Sequence, residues 1–159
     1  MKSTLLLFSV LLLGPMAWAQ GFVPEVPDTV MLNQKSSEYN PYYESMAYIY
    51  LVEYYKADGE RDSVIYGDYE GDPICSYYQA FEGGISYSLS GCGEEGGADE
   101  DMVFPKMKLS DAKALIERLF YDPWNTWVSE NAYEPDGAGC YYGITQTETQ
   151  TIIEIYCGC

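Results

Sequence analysis

Four of the five cysteines fall into two pairs with identical spacing, and this spacing is the clearest chemical signal in the chain. The pairs are Cys75 with Cys92 and Cys140 with Cys157. A turn lies at the midpoint of each interval, where Gly83-Gly84 is a strong hairpin signal and Glu148-Thr149 a weaker one. Counting outward from a two-residue turn brings the two cysteines of each pair opposite one another, at a separation that suits a cross-strand disulfide. The sequence therefore predicts two disulfide-bonded β-hairpins.

Cys159 is left over by this pairing. The sequence allows three roles for it: a free thiol, a link to a second copy of the chain, or a competitor of Cys140. With Cys157 it also forms a Cys-Gly-Cys segment that a thiol-exchange enzyme could use. Thiol exchange needs a thiolate of low pKa, usually beside a positive charge. No lysine or arginine follows Arg118, so a structural disulfide with one spare thiol is favoured.

Residues 94–101 contain five carboxylates, and carboxylate oxygens are ligands that calcium prefers. The candidate Ca²⁺ ligands are Glu94, Glu95, Asp99 and Asp101. Their spacing differs from that of an EF-hand loop, and consecutive acidic residues need not converge on one point. A solvated acidic linker between two halves of the domain is therefore the favoured interpretation, and no other cofactor is expected.

Tyrosine is unusually frequent, with 17 residues, and several occur as adjacent pairs such as Tyr77-Tyr78 and Tyr141-Tyr142. Neighbouring residues of a strand point to opposite faces, so each pair in a strand directs one ring inward and one outward. Outward tyrosines provide rigid, amphipathic contact area for a partner, although tyrosine also simply fits strands well. The candidates for a binding surface are Tyr77, Tyr141 and Tyr156.

Histidine is absent, and its absence excludes several classes of enzyme. Neither a Ser-His-Asp triad, nor Cys-His catalysis, nor a histidine-ligated zinc site can be built. Carboxylate pairs such as Glu134 and Asp136 could act on sugars as acid and base, but Asp136-Gly137 is better explained as a turn. No residue is therefore predicted to be catalytic.

The N-terminal residues 1–19 have the pattern of a secretory signal peptide. Lys2 precedes an apolar run over residues 5–13, and Ala17-Trp18-Ala19 forms a cleavage site. Export to the periplasm or the extracellular space agrees with the predicted disulfides. The net charge of −17 opposes binding to nucleic acid or to anionic lipid. No later segment is long and apolar enough to span a membrane.

Residues 110–120 show the apolar periodicity of an amphipathic helix. The apolar positions are Ala112, Leu115, Ile116, Leu119 and Phe120. Ser110 is the predicted N-cap, and Asp122-Pro123 ends the helix. Residues 45–56 repeat this pattern with Ser45 at the cap position. Helix is favoured there over strand, although strand-forming residues are frequent.

These elements predict a single α+β domain over residues 41–159, preceded by an extended arm over residues 20–40 that contains one edge strand at 30–32. We expect an antiparallel sheet of about five or six strands with one or two helices on a face. Besides the hairpins, residues 63–69 and 126–133 are predicted strands. The face of the first hairpin that we expect to be buried carries Tyr78, Ala80, Ile85, Tyr87 and Leu89.

The two halves of the domain, residues 41–94 and 106–159, share the cysteine spacing and the position of the helix. A tandem duplication of a helix–strand–hairpin unit explains this likeness. A chance resemblance between two disulfide-bonded hairpins explains it equally well, because few of the aligned residues are identical.

The sequence favours an exported, non-enzymatic binding module that meets a basic protein through tyrosines and negative charge. An inhibitor or immunity-type protein against a basic exported enzyme fits this description. One alternative is an enzyme that uses carboxylates or the thiols of Cys157 and Cys159. Another is a structural component of an envelope or surface that dimerises through Cys159.

Overall fold

The computed structural model describes residues 21–41, 44–64, 76–91 and 97–158. These residues form one antiparallel sheet of eight strands, with three α-helices on one of its faces. The α+β fold is confirmed, although the expected number of strands was too low. The strands are β1 Asp62–Val64, β2 Ser76–Phe81, β3 Ile85–Ser90, β4 Ala98–Pro105, β5 Asn125–Trp127, β6 Ala132–Pro135, β7 Gly139–Gln146 and β8 Gln150–Gly158. The helices are α1 Thr29–Lys35, α2 Met46–Tyr54 and α3 Leu109–Leu119, and a short 3₁₀ turn, Ser36–Glu38, follows α1.

The strands lie in the order β1-β2-β3-β4-β8-β7-β6-β5 across the sheet. Each half of the chain therefore contributes a helix followed by a four-stranded meander, and the two meanders meet where β4 pairs with β8. Counted from the outer strand of each meander, the β2–β3 hairpin of the first half corresponds to β6–β7 of the second. The cysteine spacing instead matches β2–β3 with β7–β8. A duplication remains a prediction, and the topology aligns the two halves differently from the cysteines.

Helix α1 lies within residues 20–40, so the prediction of an extended arm with an edge strand is wrong there. The Asp28 carboxylate caps α1 by accepting hydrogen bonds from the N–H groups of Val30 (3.0 Å) and Met31 (3.1 Å). Leu32 is fully buried against the core. The polar cap and the buried leucine both favour a helix here, and Met31 also packs against the core.

Helix α2 confirms the helical prediction for its segment. The Ser45 hydroxyl accepts a hydrogen bond from the N–H of Tyr48 (3.4 Å) and caps the helix as expected. Residues 47–51 are all buried, so packing surrounds much of the helix and overrides the strand propensity of its aromatic and β-branched residues. The Tyr50 hydroxyl donates to the carbonyl oxygen of Glu25 (2.7 Å), which ties α2 to the N-terminal segment.

Helix α3 begins one residue before the predicted helix, and its apolar face is confirmed. The buried residues are Ala112, Leu115, Ile116 and Leu119. The predicted cap is wrong: Lys108 is the N-cap residue and makes no side-chain cap bond, while Ser110 lies inside the first turn. The Ser110 hydroxyl donates to the carboxylate of Asp111 (3.4 Å) instead.

The turn of the first hairpin contains three residues, 82–84, so the predicted two-residue turn is wrong. Phe81 pairs with Ile85 across this turn. Gly83 and Gly84 both have positive φ angles, 83° and 78°, which glycine adopts without strain. A glycine pair permits either turn length, and the longer turn shifts the pairing of β2 with β3 by one residue.

This shift by one residue turns every side chain of β2 to the face opposite the predicted one. Tyr77 is only 3% exposed and packs in the core, whereas Tyr78, predicted to be buried, is 46% exposed. The predicted orientation of β3 is correct, since Ile85, Tyr87 and Leu89 are buried. Cys75 and Cys92 lie outside the described residues, so their disulfide remains a prediction.

The second hairpin has the predicted register. Cys140 pairs with Cys157 across β7 and β8, and a disulfide joins them with a Cα–Cα distance of 4.2 Å. The N–H of Thr147 donates to the carbonyl oxygen of Gln150 (2.9 Å) and closes the two-residue turn between them. The side chains on the core side of this hairpin are buried: Tyr142, Ile144, Ile153 and Ile155.

The remaining predicted strands are shorter than expected. One strand was predicted over residues 126–133, but the chain reverses there. This segment contains the end of β5, a turn and the start of β6. Of the predicted strand over 63–69, β1 accounts for the first residues, and residues 65–69 lie outside the described part. Among the described helices, none combines the length and the apolar character needed to cross a membrane.

Candidate functional site

The face of the sheet that points away from the helices is acidic and rich in tyrosine. The carboxylates on it are Asp62, Asp99, Asp101, Glu134 and Glu154, and its part-exposed tyrosines are Tyr78, Tyr141 and Tyr156. None of the eight described strands contains a lysine or an arginine. We call this surface the open face, because no described helix covers it.

Strand β4 supplies the acidic centre of the open face, so the prediction of an acidic linker over 94–101 is wrong from Ala98 onwards. The strand forms because Met102 and Phe104 continue its alternation into the core, where both are fully buried. Asp99 and Asp101 consequently point to the open face. Long-range pairing with β3 and β8 holds this segment in the sheet, and no local signal reveals that pairing.

The calcium ligands predicted from the same segment do not come together in the described residues. Asp99 and Asp101 share a face of β4, whereas Glu94 and Glu95 lie outside the described part. Among described side chains, no group of three or more acidic or cysteine residues is arranged to hold a metal ion.

Two carboxylates of the open face lie directly opposite each other: Asp101 on β4 pairs with Glu154 on β8. Burial raises the pKa of Asp101, and the neighbouring charges of Glu154 and Asp99 raise it further. Like charges at facing positions of two strands destabilise a sheet. A positive group placed between these carboxylates would remove the repulsion.

Replacing Asp101 with asparagine is expected to raise the free energy of unfolding at neutral pH. Because the native pKa of Asp101 is above its ordinary value of 3.8, the native state binds this proton more tightly than the unfolded state. Stability should therefore fall as pH rises from 3.8 through the raised pKa, and Asp101→Asn should weaken that fall. Urea unfolding followed at several pH values measures both effects. Asp99→Asn serves for comparison: Asp99 faces Tyr156 instead of a carboxylate, and its charge raises the pKa of Asp101 less than the charge of Glu154 does. A smaller gain is therefore expected, and equal gains for both variants would contradict the explanation.

A depression interrupts the open face where two neighbouring strands carry small side chains. Gly143 on β7 lies between Glu154 on β8 and Ala132 on β6. Beside it, Tyr141 pairs with Tyr156, and their ring centroids are 6.3 Å apart. We call this the Gly143 depression; its volume is about 470 Å³, and Asp99, Asp101 and Glu134 also line it.

Glu100 lies between Asp99 and Asp101 on β4, but its side chain points into the core and is only 6% exposed. Its carboxylate accepts hydrogen bonds from the hydroxyls of Ser45 and Tyr87, the latter at 2.8 Å. Burial raises the pKa of Glu100, and these two hydroxyl donors oppose the rise. Glu100 thus joins the cap of α2 to β4, and it is a structural residue that the sequence alone did not single out.

The predicted binding-surface tyrosines divide into two groups. Tyr141 and Tyr156 are each 38% exposed and lie side by side on the open face. The prediction for Tyr77 is wrong, because its ring packs against those of Tyr48 and Tyr87 at centroid distances of 5.3 and 5.5 Å.

Of the roles predicted for the cysteines, the structure decides the one that needs a free thiol at Cys157. Cys157 is bonded to Cys140, so its sulfur is not a thiol that could act with Cys159. Cys159 itself lies outside the described residues, and its role as a free thiol or a dimer link remains a prediction.

A second exposed aromatic group lies on the loop between α3 and β5. Trp124 is 70% exposed, and Tyr121 is also exposed. Two hydrogen bonds within the loop hold its conformation. In the first, the Asp122 carboxylate accepts from the N–H of Trp124 (2.8 Å). The Asp122 carbonyl oxygen accepts another from the N–H of Asn125 (3.1 Å).

The chemistry that the open face offers is recognition of positive charge by carboxylates and aromatic rings. Comparison with protein families, with curated proteins and with solved structures finds no match to this chain.

Proposed function

We propose that this protein is an exported, non-enzymatic binding module that docks a basic protein on its open face, in the manner of an inhibitor or immunity protein. The observation that carries the proposal is the composition of this face. Five carboxylates and three part-exposed tyrosines share it, and the described strands contribute no positive side chain.

The size of the open face suits a protein partner. Eight strands spaced by about 4.8 Å give a sheet roughly 34 Å wide. A stable interface of standard size covers about 800 Å² on each partner, which such a sheet can provide. Tyrosines contribute rigid contact area at low entropic cost, and carboxylates steer a basic partner towards the face.

The disulfide supports the exported location within this proposal. Disulfides persist in oxidising compartments, and Cys140–Cys157 joins two adjacent strands whose side chains reach both the core and the open face. An enzyme that relies on the thiols of Cys157 and Cys159 receives no support, because Cys157 is already bonded.

Neutralising the centre of the open face is expected to slow association with a basic partner. The test uses a panel of purified basic extracellular enzymes and acidic ones of similar size, with binding and enzyme inhibition measured at low and high salt. The double variant Asp101→Asn/Glu154→Gln should lower the association rate for a basic partner by about tenfold, since charge steering is lost. Dissociation should change less.

The matched control removes two charges elsewhere. Asp58→Asn/Glu60→Gln alters exposed residues in the connection between α2 and β1, and should change the association rate by less than about twofold. Equal effects of the two double variants would contradict a role for the open face. Tight binding that is indifferent to salt would contradict the electrostatic part of the proposal.

A further inference from the structure

The Gly143 depression is large enough for one long side chain. Its floor consists of Gly143 and Ala132, which face each other on β7 and β6 and carry almost no side-chain volume. The rings of Tyr141 and Tyr156 stand beside this floor on the next row of the sheet. A flexible apolar stem could lie over the floor with its end group against a ring.

The charge around the depression specifies a cationic end group. Glu154 lies opposite Gly143, and Asp101 lies opposite Glu154 on the next strand. The hydroxyl of Thr145 donates to Oε2 of Glu154 (2.7 Å) and helps to orient that carboxylate. Among the described residues that line the depression, none carries positive charge.

The same chain already holds one guanidinium in surroundings of this kind. The guanidinium carbon of Arg61 lies 4.8 Å from the ring centroid of Tyr77 and 5.5 Å from that of Tyr48. Its Nη1 atom is 2.6 Å from Oε1 of Glu44. Two tyrosine rings and one carboxylate therefore contact an arginine side chain in this protein, and the Gly143 depression is lined by the same kinds of group.

We propose that the Gly143 depression is a subsite for one arginine side chain of the basic partner, an assignment that rests on the proposed function. The guanidinium stacks on Tyr141 or Tyr156 and donates hydrogen bonds to Glu154 and Asp101. Arginine fits better than lysine because its planar group stacks on aromatic rings and forms two hydrogen bonds with a carboxylate. Binding also removes the repulsion between the two facing carboxylates.

The experiment compares two peptides of equal length and charge, nona-arginine and nona-lysine, by titration calorimetry and by the amide NMR shift of Gly143. The wild-type protein should bind nona-arginine more tightly. Gly143→Val fills the depression without changing charge and should weaken nona-arginine binding by about tenfold, as loss of one stacked and hydrogen-bonded cation implies. Binding of nona-lysine should change by less than about twofold.

The valine variant is compatible with the fold. A Cβ atom at Gly143 would lie 3.4 Å from Oε2 of Glu154, an ordinary contact, and valine suits a strand. Ser86→Val adds volume to the same face outside the depression and serves as the control. Tyr141→Leu, with Tyr141→Phe as the conservative variant, repeats the test by removing or keeping the ring. Leucine should weaken nona-arginine binding and phenylalanine should largely preserve it.

The outcomes separate the subsite from the proposed function. If both peptides bind equally and neither Gly143→Val nor Tyr141→Leu alters their affinities, while Asp101→Asn/Glu154→Gln weakens both, the arginine subsite is wrong and the open face still binds positive charge. If Asp101→Asn/Glu154→Gln weakens neither peptide, the proposed function fails together with the subsite. Loss of nona-arginine affinity in both Gly143→Val and Tyr141→Leu, with nona-lysine unchanged, supports the subsite.

Discussion

Replacing Phe104 with alanine is expected to lower the free energy of unfolding by about 3–5 kcal/mol. Phe104 is fully buried on β4, where the two halves of the sheet meet. Its ring stacks on Phe22, with centroids 5.6 Å apart, and meets the edge of Tyr55 at 6.3 Å. One side chain therefore joins the N-terminal segment, the end of α2 and the sheet, and its loss leaves a cavity among elements distant in sequence.

Urea unfolding followed by circular dichroism measures this loss. Val103→Ala is the matched control, because Val103 directly precedes Phe104 on β4 and points to the open face, where it is only partly buried. We expect the control to cost less than about 1.5 kcal/mol. Similar losses for the two variants would show that the inward orientation of Phe104 is incorrect.

Removing the disulfide by Cys140→Ala/Cys157→Ala is expected to destabilise the protein by about 3 kcal/mol, within a general range of 2–5 kcal/mol. The bond closes a chain segment of sequence separation 17, and its absence enlarges the set of conformations open to the unfolded chain. The paired strand β8 also borders β4, so fraying at this end of the hairpin would reach the centre of the sheet. Urea unfolding without reductant gives the loss directly.

Adding a thiol reductant to the same variant extends the experiment to the disulfide predicted between Cys75 and Cys92. A further loss of stability on reduction indicates a second bond, since Cys140 and Cys157 are no longer present. Chemical reduction of the wild type should then cost more than the double substitution. A loss below about 1 kcal/mol in the double variant would contradict a stabilising role for Cys140–Cys157.

At one position of the sheet, the side chains that the proposed binding role requires also lower the stability of the fold. Asp101 and Glu154 face each other across two central strands, and burial together with this proximity raises the pKa of Asp101. A sheet selected only for stability would not place two carboxylates there. The cost is explained if a basic partner supplies the missing positive charge, and Asp101→Asn should then gain stability while losing affinity.

The sequence alone was sufficient where the determining residues are close together along the chain. The apolar periodicity of α3 and the two-residue turn between Thr147 and Gln150 each depend on a few neighbouring residues. That turn also determines that Cys140 meets Cys157, so the disulfide followed from spacing. The cap of α2 at Ser45 was equally local, and this evidence outweighed the strand-forming residues within the helix.

Only the tertiary structure decided which residues form the open face. Gly83-Gly84 permits turns of two or three residues, and the packing of Tyr77 against Tyr48 and Tyr87 accompanies the longer turn, which exposes Tyr78 instead. Residues 98–105 became a central strand because β3 and β8 pair with them from distant parts of the chain. The physical reason is that a helix or a short turn is stabilised by contacts within a few residues. The register and the exposed face of a strand depend instead on neighbouring strands that are distant in the sequence.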